Sequence, residues 1–264
     1  MQSGHKRLLL GTRPLKRWRY VGVFSEELMA CAAYVQVGAA RQAFWAVYVR
    51  EERALRERTR ILRARGAVEL TPGSVRVDDG GVELELTLEE DAGWEARAVD
   101  PGGGEVWTRK QAGIAARGTL RLDGGPRRAM SARAVIDDTA GYHARHTRWR
   151  WSAGVGEAPD GAPLAWNLVA GVNDARTGSE RAVWIEGVAR EAAPVSFSAD
   201  MDRIECEDGS VLHFRAEASR ERHENLLLVR SDYSAPFGTF WGTLPGRVEL
   251  ERGLGVIEHH RAVW

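Results

Sequence analysis

The strongest constraint on this chain is a repeated pairing of alternating apolar and polar runs around glycine-rich turns. Ser74 to Val77 and Val82 to Leu88 alternate on either side of Asp78-Asp79-Gly80-Gly81, which predicts a hairpin with one buried face. Trp94 to Val99, Asp100-Pro101-Gly102-Gly103-Gly104 and Val106 onward repeat the rule. So do Arg203 to Cys206, Glu207-Asp208-Gly209-Ser210 and Val211 to Ala216. Such turn signals return about every eight to twelve residues, the spacing of sandwiches and barrels. One stretch speaks for a helix: Arg50 to Arg65 sets Glu52/Arg56 and Arg53/Glu57 at i,i+4, with a hairpin turning near Glu51 to Arg53 as the competing reading.

An internal echo adds to this pattern. Arg17-Trp18-Arg19 returns as Arg148-Trp149-Arg150. Ala33 to Gly38 followed by Phe44 to Val47 is answered by Leu168 to Asn173 followed by Val183-Trp184-Ile185. A duplicated β-unit explains matches in the same order at about half the chain length. A linker near Asp123-Gly124-Gly125-Pro126 then divides the chain into units 8–125 and 126–264.

Charge and cysteine content exclude several classes. Lys+Arg and Asp+Glu both number 37 in 264 residues, so no net field draws the chain to nucleic acid or an anionic membrane. The arginines are scattered, and Lys6, Lys16 and Lys110 are the only lysines. Cys31 and Cys206 are the only cysteines, too few for a disulfide scaffold or a thiolate metal motif. Leu8 to Leu10 is too short for a signal core, and Leu28 to Ala40 is too short to span a bilayer. These features predict a cytoplasmic protein without stable membrane insertion. Gly154-x-Gly156 and Gly253-x-Gly255 lack the strand–glycine–helix context of a dinucleotide site, and no P-loop, nucleophile elbow or HExxH is present. No cofactor is expected.

Chemistry-bearing residues crowd two places, Asp137 to Arg181 and the terminal run GLGVIEHHRAVW. Strand parity sorts them, because successive side chains point to opposite faces. If 142–151 is one strand, Tyr142, His146, Arg148 and Arg150 share a face, and His143, Arg145, Thr147, Trp149 and Trp151 share the other. His143 and His146 then diverge, which argues against a metal. Asn167, Val169, Gly171 and Asn173 share a face, as do Glu258, His260, Ala262 and Trp264. A Glu and a His two apart on one strand can share a proton or grip one polar ligand group. Asp137-Asp138 can supply an acid raised by its neighbour, or simply a solvated turn. The 10 tryptophans divide between core and cavity wall.

On these clusters the chain resembles the bacterial family DUF2804. The likeness is carried by AGYHARHTRWRWSAGVG, WNLVAGVNDARTGSERAVWIEG, PFGTFWGTL and the ending GxGxxExHxAxW, here Gly253, Gly255, Glu258, His260, Ala262 and Trp264; Lys16 to Tyr20 fits an earlier segment. That family is distantly similar to lipocalin-like proteins with two β-barrel halves, an architecture shared with carotenoid hydratases and tocopherol cyclase. The resemblance implies an apolar ligand and a tandem-barrel fold, and it implies no catalytic residue.

The expected fold is therefore all-β, with two lipocalin-like (calycin) barrel or half-barrel units in tandem. The leading expectation for function is capture of an apolar or amphipathic small molecule, lipid- or isoprenoid-like, in a β-barrel cavity. Trp149, Trp151 and Trp184 are the candidate apolar wall, and Tyr142, His146, Asn167, Asn173, Arg181, Glu258 and His260 the candidate polar contacts. Parity forbids all of them facing one lumen, so at least one tryptophan belongs to core. The alternative is a cofactor-independent hydratase, isomerase or cyclase acting by proton transfer, with Glu258 or Asp138 as acid and His146 or His260 as base. A structural or protein-interaction module is the third reading.

Overall fold

The computed structural model describes residues 8–61, 64–99, 103–226 and 229–263. The chain opens with β1 (Leu9–Leu10), β2 (Arg13–Pro14), β3 (Lys16–Phe24), β4 (Leu28–Val37), β5 (Ala40–Val49) and β6 (Ala54–Arg60). A single turn of helix, α1 (Ala64–Ala67), leads to β7 (Val68–Thr71), β8 (Ser74–Asp79), β9 (Val82–Leu88) and β10 (Trp94–Val99). The long strands β11 (Glu105–Leu122) and β12 (Arg128–Gly141) complete this half. The second half runs β13 (His146–Glu157), β14 (Pro163–Ala170), β15 (Ala182–Ile185), β16 (Val188–Glu191) and β17 (Val195–Phe197). It closes with β18 (Arg203–Cys206), β19 (Val211–Leu226), β20 (Val229–Leu244) and β21 (Val248–Val263).

The first sheet is ordered β6-β5-β4-β3-β12-β11-β9-β8-β7, with β10 added to β11. The second is ordered β16-β15-β14-β13-β21-β20-β19-β18-β17. Apart from β10 the two orders are the same: four strands meander outward, and the last strand returns to pair with the first. The fold is all-β, two lipocalin-like half-barrel units in tandem, and the repeat heard in the sequence is a repeat of topology.

Two expectations are corrected. Asp123 to Pro126 is not a linker but the hairpin turn between β11 and β12, made tight by left-handed Asp123 (φ 49°) and Gly124 (φ 72°). Strand β12 then pairs with both β11 and β3, so the change of sheet falls at 142–145 and not at Pro126. Arg50 to Arg65 is not one helix. Residues 50–53 turn, with Arg53 at φ 50°, and β6 pairs antiparallel with β5. The Glu52–Arg56 ion pair exists at 3.3 Å, yet it bridges a hairpin rather than a helical turn. Cross-strand pairing of Ala54 to Arg60 outweighs a weak helical propensity.

Three apolar clusters explain the packing. One fills the first half-barrel around Val21, Trp45, Leu84 and Ile136. Another fills the second around Trp166, Phe214, Phe240 and Ile257. The third lies between the units, where the opposite faces of the same strands meet. Tyr20 meets Trp151 edge-on at 5.4 Å, Phe24 meets Phe237 at 6.5 Å, and Phe44 meets Tyr233 at 6.2 Å. Strands with both faces covered read as continuous apolar runs, which is why Leu28 to Ala33 and Phe44 to Val49 show no alternation. Phe237 is buried at this junction. Phe237→Ala is expected to cost about 3–5 kcal/mol in chemical denaturation and to leave one cooperative transition, since both half-barrels lose the same contact.

Candidate functional site

Between the half-barrels, beside this shared core, lies a cavity of about 230 Å³ lined by residues of both units. The enclosed space is thus not a barrel lumen, because side chains of the two inner clusters fill the lumina. Its walls are largely aromatic and aliphatic: Trp18, Tyr20 and Phe44 from the first unit, Trp149, Trp151 and Tyr233 from the second. The indoles of Trp18 and Trp149 lie nearly parallel, 6° apart with centroids at 6.4 Å. His143 stacks on Trp18 at 5.2 Å, and His260 tilts against Trp149 at 4.3 Å. His143 is carried by the crossover at 142–145, which buried Lys16 ties down by donating to the carbonyls of His143 (2.9 Å) and Ala144 (3.3 Å).

One wall is ionic. Lys110 is buried, and its Nζ lies 2.5 Å from Asp137 Oδ1 and 3.4 Å from Glu180 Oε1. Asp137 also accepts from Trp18 Nε1 (3.0 Å) and Thr139 Oγ1 (2.8 Å). Asn173 Nδ2 donates to Glu180 Oε2 at 2.9 Å. Burial works against the charge of Lys110, but the two carboxylates outweigh it and raise its pKa. Burial raises Glu180, with Lys110 pulling the other way.

The facing wall holds Glu258, which no cation neutralises at contact distance among the described residues. Its Oε1 accepts from Trp149 Nε1 at 2.7 Å, and its side chain hydrogen-bonds Tyr233. Burial pushes this carboxyl up to about 7, and the Asp137 charge adds to the rise, so near neutrality much of it carries a proton. His260 is driven the other way, down to about 3, by burial and by the neighbouring His259. It remains the neutral imidazole, its Nε2 2.8 Å from Ser231 Oγ. Arg220 lies over the Phe44 ring at 4.1 Å and the Tyr233 ring at 5.1 Å, held by Glu57 and Thr59. Among the described residues no three His, Cys, Asp or Glu side chains group as a metal site.

Of the residues singled out in the sequence, Trp149, Trp151, Asn173, Glu258 and His260 line the cavity. The others do not. Asn167 is buried behind the wall, where it accepts from Trp151 Nε1 (2.8 Å) and donates to the Glu180 carbonyl (2.8 Å). Arg181 is buried and donates to the carbonyls of Asp174, Ala175 and Ala192, closing the 171–181 loop. Trp184 belongs to the inter-unit core. Tyr142 is buried in the crossover, and His146 starts β13 exposed at a separate open depression with Arg148 and Arg230. His143 therefore precedes the strand, and the parity assigned to 142–145 does not apply. Asp138 faces away from the cavity, in ion pairs with Arg19 and Arg109, because adjacent strand residues point to opposite sides. Glu258 and His260 share a face but take separate partners, so they do not share a proton directly. Trp264 lies outside the described residues.

Sequence reasoning missed Trp18, Lys110, Glu180 and Tyr233, and of the Asp137-Asp138 pair it named Asp138 rather than Asp137 as the candidate acid. A signal existed for Asp137: Val135-Ile136-Asp137 is echoed by Val256-Ile257-Glu258, and the same strand pair carries Gly118-Thr119-Leu120 and Gly242-Thr243-Leu244. The raised Glu258 carboxyl has a consequence for stability. Its contribution is present below the unfolded value near 4.5 and is lost as pH rises through about 7. The Glu258→Gln protein should therefore run parallel to the parent in melting temperature at pH 4 and gain on it by up to about 3 kcal/mol of stability at pH 8. Curves that stay parallel across the range would show that the group is not raised.

Solved structures resemble the whole chain. The AttH-designated protein from Nitrosomonas europaea aligns with 13% identity over 97% of this chain and 97% of its own, with a TM-score of 0.59. Kievitone hydratase from Nectria haematococca aligns with 11% identity over 94% of this chain and 88% of its own, at 0.53. CghA aligns with 10% identity over 94% and 87%, at 0.52. At such identities the likeness shows the fold alone. No curated protein matches in sequence. The family described as "Domain of unknown function (DUF2804)" matches residues 103–264, which span the whole second unit and the β11–β12 pair that carries Lys110 and Asp137, and the chain belongs to that family.

Proposed function

We propose that the cleft between the half-barrels takes up an apolar or amphipathic small molecule and that Glu258 transfers a proton to it. The observation that carries this reading is the buried, largely uncompensated carboxyl of Glu258 in an aromatic cavity, raised to about 7. An acid tuned to the working pH combines adequate protonation with adequate acid strength. Trp149 and Tyr233 hydrogen-bond the carboxyl and hold its orientation in the cavity. The aromatic faces around it favour a ligand on which positive charge develops.

The step balances without a cofactor. The π pair of a ligand double bond takes the Glu258 proton, a new C–H bond forms, and the positive charge is left on the adjacent carbon. Loss of a proton from a neighbouring carbon, or addition of water and loss of its proton, restores a neutral ligand. The proton then returns to the Glu258 carboxylate. Isomerisation and hydration are the two outcomes of that step, and attack on the cation by a second double bond of the ligand, followed by proton loss, makes it a cyclisation. The name of one structural neighbour, kievitone hydratase, agrees with this class of chemistry. A pure binding protein is the second reading; it is favoured by the size and apolarity of the cavity, which need no reaction.

Native mass spectrometry of protein purified from its own host, followed by organic extraction, tests the shared part of both readings. A bound apolar molecule is expected, and it should be lost in Trp149→Ala; an empty protein that also ignores a lipid and isoprenoid panel overturns both. The captured molecule, incubated with enzyme in heavy water, should gain deuterium on carbon. Glu258→Gln should bind it within about threefold of the parent but exchange it at least about 100-fold more slowly. The parent rate should fall as pH rises through about 7, because only the protonated carboxyl donates. No deuterium gain with the parent protein leaves the binding protein, and exchange unchanged in Glu258→Gln removes Glu258 as the donor.

A further inference from the structure

Two of the three carboxylates of the cleft, Asp137 and Glu258, occupy equivalent positions in the two units; the third, Glu180, shares Lys110 with Asp137. Strands β3 and β12 of the first sheet correspond to β13 and β21 of the second. Register makes the match residue by residue: Trp18 lies opposite Thr139 and Tyr20 opposite Asp137, while Trp149 lies opposite His260 and Trp151 opposite Glu258. In each unit the indole N–H of the first tryptophan donates to the carboxylate, at 3.0 Å for Trp18 and Asp137 and 2.7 Å for Trp149 and Glu258. Both pairs face the same cavity. The cleft is thus walled by two copies of one tryptophan–carboxylate pair.

The copies differ on the next strand. Lys110 of β11 lies opposite Asp137 and binds it. On β20, Ser234 lies opposite His259, which brings Ala235 level with Glu258, and Ala235 is a buried apolar residue of the inter-unit core. A lysine has a counterpart only in one unit. Two carboxylates that sense one another cannot both carry full charge cheaply in an apolar cavity, and a fixed ammonium beside one of them decides which is the anion.

Resting on the proposed proton transfer, we infer that the duplicated pair has been divided into two roles by this one difference: Lys110 holds Asp137 as a permanent anion that faces the positive charge developing on the ligand, and the missing lysine at Ala235 leaves Glu258 as the proton donor. Asp137 spends its oxygens on Lys110, Thr139 and Trp18, which fixes its position in the wall. Lys110 is a positioning residue, acting through Asp137. The ligand class that fits is an apolar or amphipathic molecule with a protonatable double bond.

A pair of probes of equal shape reads the anion directly. Benzyltrimethylammonium should bind the parent protein at least about tenfold more tightly than its neutral isostere neopentylbenzene, measured at pH 6. Asp137→Asn, which keeps an acceptor for Trp18, should bring the two within about threefold. Lys110→Met discriminates further. If Lys110 keeps Asp137 anionic, the preference for the cation falls; if Lys110 merely cancels the charge of Asp137, the preference rises, and the inference is overturned. A second arm needs no ligand. The Trp149 indole N–H, followed by proton–nitrogen NMR against pH, should report a midpoint near 7 for its acceptor Glu258, and Ala235→Lys should lower that midpoint by at least about one unit. An unmoved midpoint in folded Ala235→Lys overturns the division of roles. Failure of both probes to bind overturns the proposed function and this inference with it. Equal binding of both probes overturns the inference alone.

Discussion

Everything distinctive here depends on two half-barrel sheets being pressed together by the faces that would otherwise meet water. Each central strand is covered twice, once by its own barrel core and once by the other unit. That arrangement forbids a polar outer face on β3, β4, β13, β14 and β21, so any polar group placed there is desolvated and must be paired or neutral. The site is the residue of that constraint. Where the two curved faces diverge they leave a cavity, and the polar groups lining it are the few the junction tolerates.

Each tolerated group shows how its cost is met. Lys110, Asp137 and Glu180 form a buried ion cluster completed by Trp18, Thr139 and Asn173. Arg181 is satisfied by three backbone carbonyls and shapes a loop rather than a ligand site. Glu258 has indole and phenol partners but, among the described residues, no contacting cation, and its burial raises its pKa to about 7 instead. The difference between a paired charge and a carboxyl raised by burial therefore lies largely in one neighbouring side chain.

Much of the architecture was legible from residue patterns. Hairpins at Asp78 to Gly81 and Glu207 to Ser210 stand where the turn residues put them, because glycine and asparagine-like turns demand backbone conformations other residues avoid. The Arg-Trp-Arg echo marked the first strand of each sheet. Strand parity brought Glu258 and His260 to one face. Parity also has limits: it states that Asp137 and Asp138 diverge without saying which faces the cavity, and it fails wherever the strand begins later than assumed, as at His146. The boundary between units was misread because a Gly-Gly-Pro turn looks the same whether it ends a unit or joins two strands of one sheet.

The sequence by itself determined the β-class, the turns, the doubled topology and the two regions where chemistry gathers. These follow from local backbone preferences and from the period of two in a strand. Only the tertiary structure decided that the cavity lies between the units, that Trp18 and Asp137 reach it from the first half with Lys110 paired to Asp137, and that Asn167, Arg181 and Trp184 do not line it. Those outcomes depend on which face of each sheet meets the other unit and on contacts more than a hundred residues apart, such as Trp18 with Asp137 and Trp149 with Glu258. Local pattern carries no record of such distances, and the ionisation of a buried acid depends on them entirely.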